Sequence, residues 1–113
     1  MEDSILNTIK NMLGSETEYD AFDSELIIYI NMAFNVLLQL GVGPSSGFSI
    51  SSASETWGEF ISDITKFNMV KAFVYLKVKL MFDPSQNSNI TQEYNKQLDE
   101  LTWRLNVQVE SGE

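Results

Sequence analysis

The stretch LIIYINMAFNVLLQL, residues 26–40, decides how this chain folds. Most of its residues are apolar, and the polar residues Asn31, Asn35 and Gln39 recur every four positions as one narrow, uncharged strip. A membrane span needs about twenty apolar residues, so this shorter stretch with its amides predicts a core helix instead. A helix that is apolar nearly all round must be covered on most sides. We therefore expect it either to lie at the centre of the domain or to be partly buried by another subunit.

Two helices are predicted in the first part of the chain. Helix one starts at a cap formed by Asp3 or Ser4 and stops at Gly14. Its apolar residues fall on one arc at about 100° per residue: Ile5, Leu6, Ile9, Met12 and Leu13. Helix two contains residues 26–40 and begins near Asp23, whose carboxylate can accept the unpaired N–H groups of a helix start. It ends at Gly41.

A long loop follows helix two. Residues 41–55 hold six serines, three glycines and a proline, which interrupt the apolar pattern. Such a loop is longer than a compact domain ordinarily keeps without a reason. A short helix of two turns is predicted after it, from the apolar residues Trp57, Phe60, Ile61 and Ile64.

Two longer helices complete the chain. Helix three runs from about residue 65 or 68 to Phe82, where Asp83-Pro84 stops it, and its core stripe is Met69, Phe73, Leu76 and Leu80. Helix four begins at Ser88 or Asn89, and its stripe is Ile90, Tyr94, Leu98, Leu101 and Leu105. These elements predict an all-α fold in a single domain, residues 1–113. It is a small bundle of four main helices, with a long loop and a short extra helix between helices two and three.

The charge of the chain excludes several classes of protein. Seven Lys and Arg against sixteen Asp and Glu give a net charge of −9, and the chain has no His and no Cys. Residues 1–65 hold ten acids and one base, Lys10, whereas residues 66–113 hold six of each. The negative charge opposes binding to nucleic-acid phosphates. The usual catalytic groups are missing, and no phosphate-binding or nucleophile motif is present. We therefore expect no enzyme activity, no cofactor, no metal and no membrane partner.

Two clusters resemble functional sites but have simpler interpretations. Glu16, Glu18, Asp20, Asp23 and Glu25 could suit a hard cation. They lack the glycine and the terminal Glu of a calcium loop, which favours solvated acids near the positive end of helix two.

The second cluster is Glu55 and Glu59 on either side of Trp57. Paired carboxylates and an aromatic ring are typical of sugar-cleaving sites. On one short helix, however, two acids four residues apart cannot easily lie on both sides of a substrate. This favours a Trp that anchors a half-exposed turn.

Trp103 lies well off the apolar stripe of helix four. A large aromatic residue on the polar side of a helix indicates an interface, or else packing on helix one or on the C-terminal tail. Helices two and three also carry apolar residues on more than one face. Self-association would explain both features.

Several segments together match a family pattern over nearly the whole chain. They are Met12-Leu13-Gly14 at the end of helix one, ELIIYI at 25–30, VKAFVYLK at 70–77, LMFDPS at 80–85 and LDELTWRLNV at 98–107. The last two are the most specific, because a lysine-bearing helix, an F-D-P stop and E-L-x-W-R-L-N-V rarely coincide by chance. The chain thus resembles the tailed-phage head–tail connector proteins, also called adaptor or head-completion proteins.

The resemblance implies an all-α subunit of a ring, expected to be dodecameric, beneath the portal vertex of the capsid. The ring would extend the DNA channel and dock a stopper or tail-completion protein, and DNA would pass through without specific binding. The location implied is the virion neck, after assembly in the bacterial host cytoplasm. The serine-rich stretch 43–54 departs from the family pattern, and no role is transferred to it.

This interpretation predicts two sets of interaction residues. The contacts with other copies or with the portal are assigned to Lys71, Lys77, Lys79, Trp103 and Arg104, and the acids facing the channel to Glu16, Glu18, Asp20 and Asp23. For Arg104, a simple pair with Glu100 on an exposed face is the alternative. Two other functions remain open: an acidic helical module that binds a basic partner, and a small DNA-packaging accessory protein.

Overall fold

The computed structural model describes residues 3–15, 18–82 and 88–110, and in these ranges the fold is all-α, which confirms the prediction. Five helices follow one another: α1 (Ile5–Met12), α2 (Asp23–Gln39), α3 (Trp57–Phe60), α4 (Ile64–Phe82) and α5 (Ser88–Glu110). The short helix α3 has one turn instead of the two predicted. Strand-like pairing in the described ranges is a single bridge between Ser4 and Thr56.

The central helix is α4, which packs against α2, α5 and α1. Its fully buried residues include Val70, Phe73, Val74 and Val78, whereas Met69 and Leu80 of the predicted stripe are only half-buried. Of the two alternatives predicted for α2, a position at the centre of the domain is therefore wrong, and partial burial by another subunit stays a prediction. Both helices are apolar on several sides, but only α4 has neighbours around most of its circumference.

Helix α1 is held at both ends and along one face. The Ser4 hydroxyl accepts a hydrogen bond from the Asn7 amide at 3.2 Å, which caps the start of the helix. Gly14, with φ +83°, ends it in a left-handed turn. Ile5, Leu6 and Ile9 are buried, but Met12 of the predicted arc is 38% exposed.

Lys10 is the unexpected member of this buried face. Its side chain is 1% exposed, and its ammonium lies 2.8 Å from the Asp23 carboxylate at the start of α2. Asp23 is the first residue of α2, and the N-cap is Phe22. The carboxylate neutralises a buried charge and so links α1 to α2, which corrects its predicted capping role.

The serine-rich loop is fixed to α2. The Asn31 side chain accepts a hydrogen bond from the Ile50 amide at 2.8 Å and donates one to the Ile50 carbonyl at 3.0 Å. Phe48 packs on Phe34, with ring centroids 5.2 Å apart, and Val42 and Ile50 are buried. The loop therefore covers one side of α2 and supplies part of the core.

Gly43 allows the loop to turn after α2 while its backbone stays closely packed against Phe60 of α3. Its φ of +90° is in the left-handed region, which favours glycine. A Cβ built on it would overlap the ring of Phe60. The glycine therefore serves both the turn and the contact with α3.

Candidate interaction surfaces

The first candidate surface is the outward face of α2, which is apolar and carries no charge. Ile28 is 58% exposed, Met32 49% and Leu38 37%, and the exposed amides Asn35 and Gln39 lie among them. No charged residue occurs in residues 26–40. The strip predicted from the sequence is therefore split: Asn31 points to the loop, and the remainder faces outward. We call Ile28, Met32, Asn35, Leu38 and Gln39 the α2 face.

The second surface lies on α5, where Trp103 is 64% exposed and Val107, one turn later, is 40% exposed. This exposure means that packing on helix one does not cover the Trp103 ring; residues 111–113 of the tail lie outside the described ranges. Beside it, the Arg104 guanidinium donates to one Glu100 carboxylate oxygen at 2.9 and 3.3 Å. Both partners of this pair are more than half exposed. Within the subunit, Arg104 thus forms the pair with Glu100 that was predicted from the sequence as the alternative to an interface contact.

The three predicted interface lysines do not share one environment. The Lys71 ammonium lies 5.1 Å from the centre of the Phe67 ring, and Lys71 borders an open cleft of about 560 Å³ beside Asn7 and Asn11. Lys77 and Lys79 are half-buried further along α4. These positions agree with separate anchors and not with one phosphate-binding patch.

The predicted channel acids have different surroundings in the structure. Glu18 and Asp20 are exposed, Asp23 is paired with Lys10, and Glu16 lies outside the described residues. Within the described ranges, no three acidic side chains approach closely enough to hold a metal ion. The charge of Asp23 is thus compensated inside the subunit, and the channel role remains a prediction for the others.

A third surface was not anticipated from the sequence. The ring of Phe22 packs edge-on against Tyr19 at 5.8 Å and against Phe82 at 5.4 Å between centroids. Tyr19 is 52% exposed and Phe22 46% exposed, whereas Phe82 is half-buried against the core. We call these three residues the aromatic triad. Two aromatic residues among acids were visible in the sequence, but their contact with the end of α4 was not.

Trp57 and its flanking acids form a structural unit. Trp57 is fully buried, and its indole N–H donates to the Thr8 hydroxyl at 3.1 Å. Glu59 accepts from the Thr56 amide at 3.0 Å, and Glu55 accepts from the Ser51 and Ser52 amides at 2.9 and 3.2 Å. With the ring inaccessible, the structure supports an anchoring Trp and not a sugar-cleaving site.

Among the described residues, two carboxyl groups have lowered pKa values. Desolvation raises the pKa of Glu55, but the hydrogen bonds from Ser51 and Ser52 outweigh it, so the net shift is downward. Hydrogen bonds from the Thr65 hydroxyl and amide lower the pKa of Asp63, which precedes α4. Both acids stabilise turns, and neither lies on the three surfaces described above.

Comparison with known families identifies the class of protein. The sequence model of the family described as "Phage connector protein" matches residues 5–112, from the first residue of α1 to beyond the last residue of α5. No curated protein and no solved structure matches the chain significantly. No helix in the described ranges is long and apolar enough to cross a lipid bilayer.

This chain belongs to the phage connector protein family. The resemblance drawn from its sequence is thereby confirmed. The chain is a component of the connection between phage head and tail, and it interacts with other proteins of that assembly.

Proposed function

We propose that this protein is a non-catalytic subunit of a closed ring in the virion neck. The ring lies beneath the portal, extends the DNA channel and docks the next neck or tail-completion protein. The observation that carries this proposal is the exposed, uncharged α2 face in a chain of net charge −9.

Electrostatics favours the α2 face as a contact between copies. Two subunits that each carry −9 repel one another, so they approach most easily where neither presents charge. Ile28 and Met32 lie one turn apart and expose about half of each side chain. Burying such residues is favourable, and exposed apolar patches commonly mark interfaces.

A ring needs two different contact surfaces on each subunit. Contacts between unlike patches close into a ring when the rotation between subunits is suitable. The exposed Trp103 and Val107 on α5 supply an apolar surface distinct from the α2 face, with Arg104 beside it. Trp and Arg are residues that interface centres favour. We assign the two sides of the contact between neighbours to these two surfaces.

The acidic charge suits a channel through which DNA moves. Repulsion between carboxylates and phosphates would keep the genome from binding to the wall. With the twelve copies implied by the family resemblance, the ring would carry roughly a hundred negative charges.

Native mass spectrometry over a wide concentration range tests the proposal. We expect a discrete closed oligomer of about ten or more subunits for the natural chain. The double variant Ile28→Ser/Met32→Ser should remain folded and lose the oligomer. Ile90→Ser is a matched control, because Ile90 is 42% exposed on a different helix. A natural chain that stays monomeric even with isolated portal rings present would overturn the proposal.

A further inference from the structure

The aromatic triad is an apolar surface that the ring contact does not use. It joins the segment before α2 to the last residue of α4, and Tyr19 and Phe22 remain about half exposed although they pack against one another. Phe82 fixes the cluster, because it packs both on Phe22 and against the core. Two rings that are held in place and open to solvent suit the recognition of a partner side chain.

The surface around the triad has no positive charge from the first part of the chain. Lys10 is the only base in residues 1–65, and it is buried and paired with Asp23. The exposed acids Glu18 and Asp20 lie on either side of Tyr19 in the sequence. Lys79, three residues before Phe82, already has an interaction partner. The carboxylates of Glu18 and Asp20 therefore lie next to Tyr19 in the sequence, and no base in residues 1–65 is left to neutralise their charge.

We propose that the aromatic triad docks an arginine-bearing segment of a different protein. An arginine guanidinium is planar, so it can lie over an aromatic ring while it donates hydrogen bonds to a carboxylate. Tyr19 and Phe22 supply the ring faces, and Glu18 and Asp20 supply the acceptors. Lysine, a compact ammonium, gains less from both contacts.

A second copy of this chain is a poor occupant of the triad. The chain contains one arginine, Arg104, and it is already bonded to Glu100. Residues 66–113 hold six acids for six bases, so this part of a second copy has no net positive charge to match the triad. DNA is also excluded, since its phosphates would meet Glu18 and Asp20. A basic segment of another protein is the partner that the charges fit, and this inference does not rest on ring formation.

Binding of a labelled synthetic peptide to the full chain tests the inference. The probe is a 12-residue peptide of alternating arginine and serine, measured by fluorescence anisotropy. Two comparison peptides replace every arginine by lysine or by neutral citrulline. We expect the arginine peptide to bind most tightly, the lysine peptide less tightly and the citrulline peptide not measurably.

Variants then locate the site. Tyr19→Ser and the double variant Glu18→Gln/Asp20→Asn should each weaken binding of the arginine peptide about fivefold or more. Glu93→Gln/Asp99→Asn removes the same number of charges from α5, and Ile90→Ser removes an apolar side chain elsewhere. These controls should change the affinity less than about twofold.

Three results would overturn the inference. They are an arginine peptide that does not bind, equal binding of the arginine and lysine peptides, and equal losses in the triad variants and their controls. The last result would mean general attraction to an acidic protein. Native mass spectrometry of the same triad variants separates this site from the ring contact. We expect their oligomeric state to be unchanged, and a lost oligomer would make the triad a contact between copies instead.

Discussion

Helices α2 and α5 differ in the polarity of the side that each turns away from the core. α5 packs chiefly on α4, and its outward side carries charged and amide side chains with Ile90, Trp103 and Val107 as exposed apolar residues. α2 is in contact with α1, α4 and the serine-rich loop, yet its outward side is uncharged from residue 26 to residue 40. An amphipathic pattern therefore locates the core of the subunit, whereas an uncharged outer side indicates a surface that the subunit alone does not bury.

The largest expected loss of stability comes from truncating a leucine on the inner face of α2, and the matched comparison is a leucine on the inner face of α5. Leu37 on α2 is fully buried, and Leu98 on α5 is 7% exposed. We expect Leu37→Ala to lower the free energy of unfolding by about 4 kcal/mol, and Leu98→Ala by about 2 kcal/mol, because Leu37 is the more completely buried and its removal should leave the larger cavity. Urea unfolding at a dilution where monomers dominate measures both. Equal losses of unfolding free energy in the two variants would contradict the expectation that α2 contributes more to the core than α5.

The next largest loss of stability is expected from breaking a buried ion pair, and an exposed ion pair provides the comparison. Asp23→Asn removes the carboxylate that lies 2.8 Å from the buried Lys10 ammonium, so we expect a loss of about 3 kcal/mol in the free energy of unfolding. Glu100→Gln removes the exposed partner of Arg104 and should cost less than about 0.5 kcal/mol. The double variant Lys10→Met/Asp23→Asn should recover part of the stability that Asp23→Asn loses. If it does not, the ion pair is not what links α1 to α2.

A smaller effect is expected from two asparagines. Asn31→Ala removes both hydrogen bonds to Ile50, and we expect a loss of about 1–2 kcal/mol together with faster hydrogen exchange of the Ile50 amide. Asn95 on α5 donates one exposed hydrogen bond to the Thr91 carbonyl, so Asn95→Ala should change stability by less than about 0.5 kcal/mol. Unchanged exchange at Ile50 in Asn31→Ala would show that the loop is held by its apolar residues alone.

The smallest effect on stability is expected at Trp103. Trp103→Ala removes a side chain that is 64% exposed, so the free energy of unfolding should change by less than about 0.5 kcal/mol. The oligomer seen by native mass spectrometry should nevertheless be lost, because the ring contact assigned to α5 lacks its anchor. An intact oligomer would remove Trp103 from that contact.

Local patterns in the sequence predicted most of the helices. Gly14, Gly41 and the Asp83-Pro84 stop marked ends, and the stripe of α5 correctly identified Leu98 and Leu105 as buried, although Ile90 of the same stripe is 42% exposed. These features depend on neighbours within a few residues, so spacing alone reveals them. The centre of the bundle was not predictable in this way, because α2 and α4 are both apolar on several sides.

Long-range contacts account for what the sequence did not reveal. Lys10 was visible as the sole base of residues 1–65, but not its burial against Asp23. The contact between Phe22 and Phe82 joins residues sixty positions apart, and the bond from Asn31 to Ile50 depends on the path of the loop. Of the candidate surfaces, the exposure of Trp103 followed from its angle on the helix, whereas the aromatic triad had no signal in local spacing.

The serine-rich loop, fixed at both ends, offers a position for a label. Asn31 holds Ile50, and Glu55 holds Ser51 and Ser52, so the exposed Ala53 lies in a short turn whose ends do not depend on its side chain. The natural chain has no cysteine, and Ala53→Cys would therefore introduce a single thiol for a fluorescent dye. Mixing subunits that carry donor and acceptor dyes would follow ring assembly in real time by energy transfer, without altering any of the three surfaces.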